Sequence, residues 1–201
     1  MTQAPQTTST EEPVVDAAPE AEARHDSPYT TKEKIGRLLW AIVQATIFQY
    51  SFHNWYGWRS MLLRMFGATI ANDVVIRRTV KVECPWNLTM GKNSCLGDHV
   101  IAYCLGPITI GERVSVSQHA HLCAGTHDYK DPALPLLRPP IVIEDDVWIA
   151  TQAFVGPNVT VGRGAILGAR ACAYKNCKPW MIYGGNPARA IIAREYHGDR
   201  D

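Results

Sequence analysis

From Ile70 onward, aliphatic side chains return every six residues: Ile70, Ile76 and Val82, then Met90 and Leu96, then Ile110, Val116 and Leu122, and finally Ile143, Ile149, Val155, Val161 and Leu167. Four residues after most of them stands a small or β-branched side chain, as at Val114, Ala120, Val147, Ala153, Val159, Ala165 and Ala171. The position just after the aliphatic is often Gly, Ala, Glu or Asp. An ordinary sheet would alternate with period two. A fixed period of six specifies a short strand and a turn per repeat, with three repeats closing a triangular coil. The aliphatic stacks inside the prism, the small residue fits the corner and the polar residue or glycine serves the turn.

Upstream the period changes. Thr30 and Glu33 have capping-box spacing, and Ile35, Leu38, Leu39, Ile42, Val43 and Ile47 recur at helical intervals. A second short helix is expected from Trp55 to Phe66, stopping at Gly67. Residues 1–28 are rich in Ala, Pro, Thr and Glu with almost no large apolar side chains, so a flexible tail is expected there. Three regions follow: a tail (1–28), a helical lead-in (29–67) and a β-helix domain with a C-terminal segment (68–201).

Within HLCAGTHDYKDPALP, residues 121–135, the beat of six stops. An extended loop is expected from His127 to Pro140, with Pro132, Pro135, Pro139 and Pro140 stiffening it against helix or strand. If Leu122 points inward and Thr126 takes the small inward position, alternation turns His127 outward at the start of that loop.

Composition narrows the class. In 201 residues the formal net charge is +1, which offers no electrostatic argument for a nucleic-acid partner. The chain starts without a signal-peptide pattern, and no apolar run approaches the roughly 20 residues that span a bilayer, so a cytoplasmic location is expected. The six cysteines form no CxxC pair and are expected to be buried thiols.

Four segments carry a family resemblance: CPWNLTMGKNSCLGD, GPITIGERVSVSQHAHLCAGTHDY, PIVIEDDVWIATQAFVGPNVTVGRGAILGARA and YGGNPARAI. From Trp86 onward the chain resembles the hexapeptide-repeat sugar O-acetyltransferases, most closely the colanic acid type, over more than half its length. The resemblance implies an all-β, left-handed parallel β-helix with an N-terminal helical segment and an extended loop. It also implies a homotrimer with acetyl-CoA bound between subunits, and a saccharide acceptor.

Residue by residue, the resemblance implies that His127 is the catalytic base and that Trp148, Thr151, Ala169, Lys175 and Arg189 bind acetyl-CoA. Tyr174 stands where the family has threonine. Asp98 and His99 match the region that holds the acceptor sugar, although the family's asparagine is not plainly present there. A backbone N–H near Ala150 or Thr151 would serve the oxyanion. No metal is expected.

Other readings stand beside these. His119 and His121 form an HxH, which on a strand would put two imidazoles on one face, and γ-class carbonic anhydrases of the same fold bind zinc through histidines; a turn position is the nearer expectation. Asp145 and Asp146 are expected to be turn residues. The first helix is expected to cap the open end of the repeat stack, with peripheral membrane contact through Lys32, Lys34 and Arg37 as the second reading.

Overall fold

A computed structural model describes residues 27–195. The expected flexible tail lies outside the described residues except for its last two positions. The six-residue beat becomes a three-faced parallel β-helix. The first face stacks Thr69–Ile70, Leu88–Met90, Ile108–Ile110, Ile141–Ile143 and Thr160–Val161. The second stacks Val75–Ile76, Cys95–Leu96, Ser115–Val116, Trp148–Ile149, Ile166–Leu167 and Met181–Gly184, closed by the antiparallel strand Arg189–Ala193. The third stacks Lys81–Val82, Ile101–Tyr103, His121–Cys123, Phe154–Val155 and Cys172–Ala173.

Every aliphatic of the six-residue series is buried, and so are the small corner residues from Val114 to Ala171. Ala102 completes the second coil in register with Val82 and Leu122, a position that its small side chain hid from the periodicity. At the break, Ala124 rather than Thr126 is the buried small residue, because the third-face strands run one alternation further before the chain departs. His127 is exposed, as alternation predicted. The loop is a hairpin arm, not a strandless segment: Thr126–His127 pairs antiparallel with Leu136–Leu137, a stretch free of proline. Where the arm rejoins the coil, Gly106 lies against the backbone of Arg138 and Pro139, which leaves no room for a Cβ.

Helix α1 (Thr31–Val43) carries the predicted capping box and continues into a π-helical turn, Gln44–Phe48; α2 spans Tyr56–Met65 and ends before Gly67 (φ 90°). Together they close the start of the coil. In each later coil, carbonyls such as those of Met90, Leu96 and Ala102 accept N–H groups from the coil before. The first coil has no coil before it, and the helices supply donors instead. Ile70 O accepts from Arg64 Nε (2.8 Å), Ile76 O from Arg59 Nε (2.6 Å) and Val82 O from Trp40 Nε1 (2.6 Å). The Val82 N–H donates to Gln44 Oε1 (2.7 Å).

The buried side of α1 is therefore set by Gly36, Trp40, Val43 and Gln44, and the apolar stripe that announced the helix faces outward. Ile35, Leu38, Leu39, Ile42 and Ile47 are all exposed, so of the periodic series only Val43 faces the stack, and the helix caps it mainly through residues the periodicity did not single out. Three cysteines, Cys84, Cys104 and Cys177, are buried as expected, and burial pushes their thiols up to about 12, 11 and 11. Cys95, Cys123 and Cys172 are only half-buried, since they sit at outward strand positions.

Arg59 is fully buried, and its other donors reach Ser51 Oγ and the carbonyls of Phe52 and His53. Arg59→Met strips donors from the buried Ile76 O and Ser51 Oγ and from two part-buried carbonyls, and is expected to cost about 3 kcal/mol or more in urea unfolding. A loss below about 1 kcal/mol would show that the cap does not depend on this residue.

Candidate active site

The edge between the second and third faces is a ladder of corner turns. Asp98 O, Gln118 O and Thr151 O accept in turn from the N–H groups of His119 (2.9 Å), Gln152 (3.1 Å) and Arg170 (2.9 Å). His99, His119, Gln152 and Arg170 all have positive φ, near 58–59°. This edge collects most of the residues implied for acetyl-CoA. Trp148 lies at its second-face side with its indole N–H donating to Ser117 Oγ (2.9 Å), and it remains 45% exposed, a flat wall open to a ligand. Thr151 Oγ1 donates to Gln118 O (3.0 Å), Ala169 is exposed one coil later, and Arg189 stands exposed beyond the last corner. Of the two N–H groups expected to serve an oxyanion, that of Ala150 is spent on Leu167 O (2.8 Å).

His127 stands elsewhere, at the edge between the third and first faces, and so does Lys175, which follows the last third-face strand. One protomer thus separates the candidate base and Lys175 from Trp148, Thr151, Ala169 and Arg189 by the width of a whole face. Asp98 and His99 also fall on the edge away from His127. Asp98 Oδ1 accepts from Thr79 Oγ1 (2.9 Å) and its carboxylate pairs with Arg77 (3.8 Å), while the His99 ring stacks on His119 (4.9 Å, 11°).

The surroundings of His127 define its chemistry. Its Nδ1 lies 2.6 Å from Leu134 O across the hairpin arm. A carbonyl can only accept, so Nδ1 carries a proton, and in the neutral ring the lone pair that a general base requires lies on Nε2. The arm is anchored at its root: Arg138 pairs with Glu33 (2.7 Å), donates to Pro28 O (2.8 Å) and lies over the Tyr29 ring (4.9 Å). Backbone and Arg138 bonds hold the Glu33 carboxyl below its ordinary range.

Periodicity alone missed the neighbours of this edge. Tyr103 is in register with Cys123, and Gly125 crosses close to the Tyr103 ring and Leu105, where an added Cβ would lie 3.0–3.2 Å from their side chains. His121 sits between Tyr103 (6.3 Å) and Phe154 (5.5 Å), and its buried Nε2 has no hydrogen-bond partner. A twenty-residue offset from Tyr103 to Cys123 was the available signal. His119 and His121 share no face, since one turns at a corner and the other lies on a strand. Among the described residues no group of three or more His, Cys, Asp or Glu converges. Asp145 and Asp146 are turn residues as expected: Asp145 accepts from the Glu112 N–H (2.8 Å), and Asp146 binds Arg113 (2.6 Å), which lowers its carboxyl.

Comparison with known proteins fixes the family. Over 157 residues the chain is 45% identical to WcaF of Escherichia coli (strain K12), provisionally assigned as a colanic acid biosynthesis acetyltransferase; the match covers 78% of this chain and 85% of WcaF. The chain belongs to the WcaF family of acetyltransferases. No family model matches it. The WcaF-type coil is a left-handed parallel β-helix of hexapeptide repeats. A maltose O-acetyltransferase from Clostridium difficile 630 superposes with a TM-score of 0.74 at 21% identity, covering 83% of this chain and 90% of that one. A hexapeptide-repeat acetyltransferase from Vibrio cholerae, solved with acetyl-CoA, gives 0.72 at 24% identity, over 86% and 94%.

Burial holds the His121 imidazole below its ordinary value of 6.5. The folded protein therefore resists a proton that the unfolded chain accepts, so stability falls as pH drops through 6.5 and continues to fall until the lowered value is passed. His121→Phe should flatten that acid limb in thermal melts between about pH 6.5 and 5. An unchanged slope would place the acid sensitivity elsewhere.

Proposed function

We propose that this protein moves an acetyl group from acetyl-CoA to a saccharide hydroxyl by direct transfer, with His127 as general base, in a homotrimer whose sites lie between neighbouring copies. The observation that carries this reading is the bond from His127 Nδ1 to Leu134 O, which occupies Nδ1 and leaves Nε2 as the ring nitrogen available to a substrate hydroxyl. The names of the relatives and a structural neighbour solved with acetyl-CoA support the donor and the reaction type. A cytoplasmic location fits a donor that is a cytoplasmic thioester.

The chemistry balances without a covalent intermediate. Nε2 takes the hydroxyl proton as the oxygen attacks the thioester carbonyl, and the Thr151 N–H, not used by Leu167 O as that of Ala150 is, serves the tetrahedral oxyanion. Collapse breaks the C–S bond, and the imidazolium returns its proton to the leaving thiolate, giving CoA and the acetyl ester. Trp148, Thr151 and Ala169 offer an open wall for the pantetheine arm, and Arg189 and Lys175 offer cations for its phosphates. The separation of Trp148, Thr151, Ala169 and Arg189 from His127 within one chain supports the shared site, because a second copy can bring its own edge against that of the first. Light scattering is then expected to report three times the 22.3 kDa chain.

Two substitutions test the assignment. His127→Ala should lower kcat by about 10²–10⁴ while acetyl-CoA still binds, and activity within a few fold of the parent would remove His127 from the mechanism. Arg189→Ala should raise KM for acetyl-CoA about tenfold with kcat changed much less; an unchanged KM would leave Arg189 outside the cofactor site.

A further inference from the structure

The helical cap carries more exposed apolar surface than closing the coil requires. Ile35, Leu38, Leu39 and Ile42 form an outward stripe on α1, each more than half exposed. One turn past Ile42 the stripe opens into a groove of about 430 Å³ between Ile47, Tyr50, Phe52, Trp55 and Trp58. At its other end, Ile35 and Met65 wall a cavity of about 860 Å³ that reaches Trp86 and Arg138 at the root of the His127 arm.

We infer that this cap docks the protein on an anionic lipid bilayer, a property that goes beyond the acetyl-transfer reading and does not rest on it. The charge of the segment selects the occupant. Of the basic residues in 29–67, Arg59 is buried, Arg64 binds the carbonyls of Ile70 and Ala71, and Arg37 pairs with Glu83, so the unshared positive charge beside the stripe is that of Lys32 and Lys34, with Glu33 held by Arg138. Lys32 and Lys34 are exposed beside the stripe. An acid-free apolar stripe flanked by lysines, ending in Tyr, Phe and Trp, has the composition of a helix lying in the headgroup region. No helix of the described residues is long and apolar enough to cross a membrane, so the helix lies on the surface. Residues 1–26, with almost no large apolar side chains, are a poor cover for this face. A trimer joined along the prism edges would leave the three caps at one end, free to meet one plane.

Co-sedimentation of the full chain with vesicles of phosphatidylglycerol and phosphatidylcholine, and with phosphatidylcholine alone, tests the inference. Binding is expected to the anionic vesicles, with a blue shift of tryptophan emission and weakening in high salt. Lys32→Gln with Lys34→Gln should lower that binding about 30-fold, and Leu38→Glu with Ile42→Glu should abolish it. These positions are exposed, so the thermal transition and CoA release with a soluble acceptor should stay at parent values. Failure of the parent to bind anionic vesicles overturns the inference. So does binding that survives Leu38→Glu with Ile42→Glu, or a change in oligomeric mass in that variant, which would assign the face to a second copy. Loss of acetyl transfer with vesicle binding intact would instead count against the proposed reaction alone.

Discussion

Each coil of a parallel β-helix satisfies its backbone only by handing N–H groups to the carbonyls of the next, so the structure depends on what meets the first coil. Left open, Ile70, Ile76 and Val82 would present carbonyls with no partner, at a cost of about 1–3 kcal/mol for each one buried. Arg64, Arg59 and Trp40 supply one donor per face. Because Arg59 and Trp40 are themselves buried, the helices have to pack rigidly to deliver these bonds. That need orients α1 and turns its other, apolar side outward.

A second constraint places the site. From Ile70 to Met90 to Ile110 the coils are twenty residues long, and from Ile143 to Val161 eighteen. The two extra residues always fall between the third and first faces, where Cys84, Cys104 and Ala124 are buried past the ordinary strand end. The same edge releases the hairpin arm with His127. A widened edge tolerates an insertion because the inward series resumes in register at Ile141–Ile143 against Ile108–Ile110. The arm then fixes the imidazole through Leu134 O and is tied to the helical cap through Arg138 and Glu33.

The coil was legible because a six-residue period fixes the inward residue at nearly every turn: Ile149, Val155 and Val161 leave no alternative register. The cap was legible as helix but not in its orientation. Ile35, Leu38 and Leu39 gave the strongest helical signal, whereas the packing was decided by the hydrogen-bond needs of Val82, which no periodicity records. At the site, His127 was visible as the break in the beat, and its bond to the Leu134 carbonyl was not, since Leu134 reaches it only through the hairpin. Tyr103 and His121 were hidden for the same reason: their closeness arises from coil stacking twenty residues apart. The family resemblance supplied the residues proposed for acetyl-CoA, and their division between two edges emerged only with the fold.

The division between edges is what makes the proposed site a property of the assembly. Mixed trimers test it most directly. An Ala169→Trp chain obstructs the acetyl-CoA edge and keeps His127, and a His127→Ala chain has the reverse defect. Each alone should be inactive. Denatured together in equal amounts and refolded, they should recover about a quarter of the parent CoA-release activity, because one interface in four pairs an intact His127 with an intact acetyl-CoA edge. Refolded mixed trimers with no more activity than either parent variant would place the whole site within one chain and contradict the account.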